Sequence, residues 1–317
     1  MADYTRLTTG DIDEILAYYD IGTPVTTAPL EGGQANSSFR IKTDQGVFTI
    51  SVCDGKTSRE IHGLTRLMAW LEICDFPTPR LVRTKSGPGF IQYQDKPVYI
   101  KTFIPGHVIH DLSAFHCFQV GQAMAALHSL DLPSDLRTLL PDQAASGFRA
   151  FDRFLSGSIS HPFTEWLEKK CVHLEANLDT GMARSIIHGD IFWDNLVFSN
   201  EQLAAVLDFE EACFEYRLLD LAIAVLGCCA EKKRFVNARI QGLIAGYQTG
   251  FLLSDHEKSQ LKLFIEYAGA ATAFWRFCQY NILYPDQGRK DYYRELSDLA
   301  DQVHEMSQAE FMRSFIP

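Results

Sequence analysis

Positive charge is scarce in this chain: 29 lysines and arginines stand against 40 aspartates and glutamates, a net charge of −11. No basic stripe can be drawn along it, which excludes nucleic acid as the main partner. An acidic surface fits a cationic or zwitterionic small molecule. The eight cysteines, at 53, 74, 117, 171, 213, 228, 229 and 278, include no Cys-x-x-Cys pair, and no histidines cluster at ligand spacing. That excludes a zinc ribbon and a disulfide framework, and reads as buried, reduced thiols. No apolar run approaches the length of a membrane span. The longest, Leu218 to Ala230, is interrupted by Asp220 and reads as a core helix. The first residues carry no apolar signal core, so a cytoplasmic protein without a membrane partner is expected. There is no internal repeat and no low-complexity tract.

What is present is ordinary globular composition: 46% hydrophobic and 22% charged residues over 317 positions, enough for two lobes. Asp11 to Tyr19 reads as a short helix. Strand patterns follow at Val25–Leu30, Ser37–Thr43, Gly46–Cys53, Leu81–Val82, Gly89–Tyr93 and Lys96–Ile104. One helical stretch, Ser58–Cys74, interrupts them, with Ile61, Leu64, Leu67, Met68 and Leu71 on one face. Pro105-Gly106 punctuates the chain, and the composition then turns helical. Helix signals run over Leu112–Leu130, Gly147–Leu155, His161–Asp179, Leu219–Glu231, Phe235–Gly250, Asp255–Tyr284 and Asp291–Phe315; residues 131–146 read as a surface connection. The expected division is therefore 1–104 and 105–317. The expected fold class is α+β: a small antiparallel β-rich lobe with one helix, then a larger, mainly helical lobe.

The most informative segment is Ile187-His188-Gly189-Asp190-Ile191-Phe192-Trp193-Asp194-Asn195, followed by Val206-Leu207-Asp208-Phe209-Glu210. A β-branched run, Arg184–Ile187, leads into it. Short strands at Leu196–Phe198 and Leu203–Leu207, joined by a polar turn, bring Asn195 and Asp208 to one end of a hairpin. Phosphoryl transfer from ATP needs such a set: a carboxylate to take the proton of the attacking hydroxyl, and an amide oxygen plus a second carboxylate to hold Mg2+. Asp190 is the candidate base; Asn195 and Asp208 are the candidate metal ligands. The spacing matches the protein-kinase catalytic loop and metal-binding aspartate, with Gly and Glu in place of the usual Arg and Gly.

His-Gly-Asp-x-x-x-x-Asn followed by Asp-Phe-Glu resembles the aminoglycoside phosphotransferase and choline kinase superfamily, whose members share the protein-kinase-like fold and phosphorylate small molecules. The resemblance spans nearly the whole chain. It implies nucleotide between two lobes. It also implies a phosphate-covering loop at Gly32, Gly33, Asn36 and Ser37, where a bare β-turn is the plain alternative. The backbone of Thr102, Phe103 and Ile104 would contact adenine. The strand lysine expected in this superfamily is missing: by register Ser51 stands in its place. Lys42, Lys56 and Lys101 are possible substitutes, each more simply a solvated lysine, and Glu60 stands where that lysine's partner would be. His188 would brace the loop. Asp220 would bond the loop backbone, or merely favour a helix N-terminus. His128 reads as a packed helix histidine.

Within the superfamily, Gly33-x-x-Asn36-Ser37-x-Phe39, the missing lysine and the Phe274-Trp275-Arg276-Phe277 segment resemble the homoserine kinases. That implies Arg276 as a clamp for a substrate carboxylate, against the alternative of a structural ion pair, and Trp193 as a pocket or core residue. The expected activity is transfer of the ATP γ-phosphate to a small-molecule hydroxyl, that of homoserine first. Choline, an aminoglycoside or another small alcohol is the alternative acceptor, and a non-catalytic nucleotide-binding regulator the alternative class.

Overall fold

Four of the helices begin on the same local device. Thr8, Thr57, Ser113 and Ser254 each accept a hydrogen bond from the backbone N–H three residues on, and that residue's side chain (Asp11, Glu60, His116, Glu257) reaches back to the cap. Each such box satisfies two donors that a helix start leaves orphaned. Glu60 is thus spent on closing the start of its own helix, at 2.8 Å from the Thr57 N–H and 2.6 Å from its hydroxyl.

The computed structural model describes residues 5–30, 37–157 and 159–317. Its residues fall into two contact-dense units. The first holds the chain up to Gly106 with 133–140 and 204–207; the second holds 107–132, 141–203 and 208–317.

In the first unit α1 (Thr9–Leu16) precedes β1 (Pro24–Pro29), β2 (Ser37–Thr43) and β3 (Val47–Val52). Then come α2 (Ser58–Ile73), β4 (Leu81–Val82), β5 (Ile91–Tyr93) and β6 (Lys96–Thr102). The strands form an antiparallel sheet in the order β1-β2-β3-β6-β4, with β5 also on β6. One face collects Phe39, Ile41, Ile50, Val52, Val98 and Ile100 against Ile12, Ile15 and Leu16 of α1. Each such aliphatic side chain contributes about 1.5–3 kcal/mol when fully buried. Thr49, Ser51 and Tyr99, of opposite parity, are buried too, so both faces of the sheet's centre are covered.

The second unit opens with β7 (His107–Val108) and α3 (Ala114–His128). A four-residue helix, α4 (Ser134–Arg137), lies in the stretch read as a connection and belongs to the first unit. Then follow α5 (Phe148–Leu155), α6 (Pro162–Asn177), β8 (Arg184–Ile187), β9 (Leu196–Ser199) and β10 (Gln202–Val206), the last with its residues 204–206 in the first unit. Next are β11 (Cys213–Tyr216), α7 (Arg217–Cys228), β12 (Ala230–Glu231), β13 (Arg234–Phe235) and α8 (Asn237–Tyr247). Last come α9 (Asp255–Phe277), α10 (Arg294–Glu305) and α11 (Gln308–Phe315). From Leu218 to Cys228 every residue of α7 is buried, Asp220 included, as a core helix should be. All eight cysteines are free thiols, six of them buried.

The last two helical stretches differ from the sequence reading. Residues 291–315 form two helices: Met306 turns extended at ψ 135°, and Ser307 caps a new start through the Glu310 N–H. The end of α9 widens into a π-helix over Cys278–Leu283, a form frequent at functional sites.

Helices α3 and α8 cross closely because a glycine stands at the crossing. A Cβ on Gly246 would lie 1.9 Å from the Phe118 carbonyl oxygen, a backbone atom that cannot swing aside. Gly246→Val should therefore destabilise the second unit by at least the roughly 1–3 kcal/mol typical of overpacked cores, read as a lowered urea midpoint. An unchanged midpoint would show that the two helices separate without cost.

Candidate active site

β8 pairs antiparallel with β11, Ile187 opposite Cys213 and Arg184 opposite Tyr216, and the loop 188–195 leaves its end. Gly189 makes the first turn with φ +81°; a Cβ there would meet the Glu211 carbonyl oxygen at 2.6 Å. Only glycine meets both demands. The Phe192 N–H then donates to the Asp190 carbonyl (3.0 Å), and the Asn195 N–H to that of Phe192 (3.0 Å). This curls Trp193–Asn195 into one 3-10 turn before β9, which pairs with β7.

The loop hangs on a carboxylate from beneath. Asp220, in the first turn of α7, accepts the His188 N–H at 3.1 Å and the Gly189 N–H at 2.8 Å. Its Oδ2 also lies 2.9 Å from His128 Nε2, and His128 Nδ1 lies 2.9 Å from the Tyr247 hydroxyl. Both side chains of the His128–Asp220 pair are 0% exposed. Burial alone would push Asp220 up. The hydrogen bond and charge of His128 and the Gly189 N–H outweigh it and hold the carboxyl below its ordinary range. His188, itself buried, has its ring edge-on to Phe209 at 4.5 Å and accepts the Asp190 N–H on Nδ1 at 3.2 Å.

The presented groups are Asp190 and Asn195. Asn195 Nδ2 donates to Asp190 Oδ2 at 3.0 Å and to its carbonyl at 2.9 Å. That fixes the amide's sense and leaves Asn195 Oδ1 as the atom able to coordinate. Asp208 arrives in the left-handed region, φ 60° and ψ 69°, which an aspartate tolerates better than most residues. Asp190 is held well above the usual carboxylate range. Burial is the largest cause, then the charges of Asp208, Glu211 and Asp194; the Asn195 hydrogen bond opposes them. Asp194 is raised as well, chiefly by the protein around its carboxyl, with Asp208 adding and Arg276 opposing. Asp190 and the Asn195 amide oxygen, with the Asp208 charge felt at Asp190, are oxygen donors of the kind a hard divalent cation takes, so the residues fit Mg2+.

The remaining expected site residues are placed less uniformly. Trp193 packs edge-on against His110 at 4.5 Å between ring centres. Arg276 is buried on α9, its guanidinium 3.9 Å over the Tyr292 ring, and Nη1 donates to Glu295 at 2.8 Å and to the Tyr292 carbonyl at 3.4 Å. A protein carboxylate thus already occupies one edge of the presumed clamp, although the charge still reaches Asp194.

In the first unit Ser37 is buried and its hydroxyl donates to Asp54 at 2.7 Å, beside Lys96 Nζ at 2.6 Å and Thr5. This directs it away from a ligand. Ser51 is 2% exposed, between Ser38 of β2 and Tyr99 of β6. The Thr102 and Phe103 N–H groups donate within the sheet to Arg80 and Val47, so of these three residues Ile104 has the N–H not spent there. Lys101 Nζ lies 5.5 Å from the Tyr99 ring centre. Gly32, Gly33 and Asn36 lie outside the described residues.

Sequence reasoning missed His128 as a member of this constellation, and β11 altogether. His128 offers no local signal, because its partner is 92 positions away.

The sequence pattern of the phosphotransferase enzyme family matches residues 26–252, and the chain belongs to that family. Among its relatives is the homoserine kinase of Gluconobacter oxydans (strain 621H), 31% identical over 86% of this chain and 88% of its own. The homoserine kinase of Xanthobacter autotrophicus (strain ATCC BAA-1158 / Py2) is 27% identical over 82% and 83%. Among solved structures, an amicoumacin kinase in complex with AMP-PNP and Ca2+ superposes with a TM-score of 0.74, covering 96% of this chain and 97% of its own at 11% identity. A microcompartment-associated aminopropanol kinase gives 0.67, covering 96% and 99% at 16% identity. The fold is the kinase-like fold of these enzymes.

Asp220→Asn keeps the volume but loses the charge and turns an amide N–H₂ toward donors. It should cost about 3–5 kcal/mol, as breaking a buried pair does. Because Asp220 is lowered in the folded state, its contribution is complete above its unfolded value of about 3.9 and is lost only as pH falls through the lower folded value. The stability gap between wild type and variant should hence not shrink between pH 7 and pH 5. A gap already shrinking over that interval would mean the carboxyl is not held low.

Proposed function

We propose that the protein is a homoserine kinase, transferring the γ-phosphate of ATP to the side-chain hydroxyl of homoserine. Kinship with homoserine kinases along more than four-fifths of the chain carries the choice of acceptor. The hydrogen-bonded Asp190–Asn195 pair supports the chemistry.

Asp190 orients the acceptor hydroxyl and takes its proton as the new O–P bond forms and the bond from the γ-phosphorus to ADP breaks. A carboxyl raised above its usual range is a stronger base once ionised. Asn195, through Oδ1, and Asp208 would hold Mg2+, which when bound would neutralise phosphate charge. Asn195 also keeps Asp190 aimed, and Asp220 with His188 fixes the turn that delivers both. The chain supplies positioning and a charge-matched site. On the nucleotide side, the backbone of Ile104 serves the adenine edge.

A zwitterionic acceptor presents one anion and one cation besides its hydroxyl. Arg276, steadied by Glu295 and Tyr292, faces the carboxylate and Asp194 the ammonium. The bracing from Glu295 costs little rotamer freedom on binding, and the bound carboxylate takes the guanidinium edge that Glu295 leaves.

Asp190→Asn should retain ATP affinity and lose turnover on homoserine by about two to four orders of magnitude, the usual worth of a positioned base; unchanged turnover would remove Asp190 from that role. Arg276→Ala should lower kcat/KM for homoserine by the equivalent of about 2–5 kcal/mol while sparing 3-amino-1-propanol, which lacks the carboxylate. Equal losses on both alcohols would make Arg276 purely structural. Wild-type activity on choline or an aminoglycoside without activity on homoserine would overturn the acceptor and leave the phosphoryl chemistry standing.

A further inference from the structure

A second group of ligand-type side chains lies in the helical unit, where α6, α9 and α10 meet. His173 Nε2, Glu266 and His304 each offer one ligand atom, and the three atoms lie within 4.8 Å of one another. Glu266 is 0% exposed. Its Oε2 is 2.8 Å from His304 Nδ1 and 3.6 Å from His173 Nε2. The second distance is too long for a hydrogen bond but ordinary between two ligands of one ion. His173 Nε2 is buried and has no hydrogen-bond partner, a costly condition for an imidazole nitrogen that a metal bond would relieve.

We infer that His173, Glu266 and His304 form a binding site for a borderline divalent cation such as Zn2+. Two imidazoles and a carboxylate select Zn2+, Co2+ or Ni2+ over the hard Mg2+ and Ca2+. The side chain of His304 is 45% exposed, which gives an entry path. Two ammonium groups stand against the site. Lys170 Nζ lies 3.5 Å and Lys262 Nζ 3.3 Å from Glu266. Each has another acceptor to keep: Asp301 at 2.9 Å for Lys170, and the His304 carbonyl at 3.2 Å for Lys262. They can therefore yield the carboxylate, at the expense of affinity. On binding, the cation displaces the proton shared by His304 and Glu266 and ties the end of α10 to α6 and α9. Those are the helices that carry Glu295 and Arg276, so occupancy stiffens the corner that braces the guanidinium.

The probe is Co2+ added to chelator-treated full-length protein in excess Mg2+, followed by visible absorption and by thermal midpoint. One Co2+ per chain, with a low-symmetry absorption band and a raised midpoint, is expected. His173→Ala and His304→Ala should each abolish the band, with circular dichroism checking that they remain folded. Lys262→Gln should tighten Co2+ binding roughly tenfold by removing a nearby like charge; because it deletes no ligand, it keeps the test decisive if either histidine variant unfolds. No band in wild type, a band that survives both histidine changes, or an unaltered affinity in Lys262→Gln would each overturn the assignment.

Discussion

The Asp220 carboxylate is the constraint on which the loop 188–195 depends. It enters the core with no exposure at all, a position that costs several kcal/mol unless charge and hydrogen bonds compensate. Compensation comes from His128 on α3 and from two consecutive loop N–H groups. These bonds convert a turn that would otherwise be a mobile surface loop into an extension of the helical core. Gly189 makes the turn sterically possible, and His188, clasped between Phe209 and the Asp190 N–H, fixes the next step. The order of dependence thus runs from core helix to loop backbone to Asp190.

Above that anchor the charge balance is reversed. Asp208, Glu211 and Asp194 each act by their charge to raise Asp190, with the Asn195 amide as a donor bonded to Asp190. Such an arrangement is unfavourable by itself, and it makes the site receptive to a divalent cation and to a base of raised affinity for protons. The Glu266 centre is arranged in the opposite sense. There one buried carboxylate is shared among two lysines and two histidines. The same helical unit carries an anion-rich centre for chemistry and a cation-rich one tying helices together.

Much of this was legible in the sequence, because it is local. The strand before Asp190, the spacing to Asn195 and the hairpin to Asp208 are each written within a few residues, and so are the capping boxes. Of the first-unit strands, β2 follows the two-residue alternation, while β3 and β6 are legible by their runs of strand-forming residues and are buried on both faces. What was illegible depends on distant partners. Cys213–Tyr216 has no strand signature, since Glu215 is buried there beside Arg184; only pairing with β8 makes it a strand. His128 is a plain helix histidine until α7 brings Asp220 to it. Ser37 reads as a phosphate contact by its neighbours, yet its hydroxyl is turned to Asp54 by Lys96 arriving from β6. The break at Ser307 is the reverse case: Ser-Gln-Ala-Glu is a cap signal that the helical periodicity around it overrode.

Amide hydrogen exchange at Gly189 in the ligand-free protein tests the anchor most directly. If Asp220 ties the loop to the core, the Gly189 and His188 N–H groups exchange only through opening of the helical unit. Their protection should then match that of the α7 backbone, with or without nucleotide. Exchange at Gly189 as fast as at an exposed turn, with protection appearing only when ATP and Mg2+ are added, would contradict the account. It would mean that ligand, and not the buried carboxylate, orders the catalytic loop.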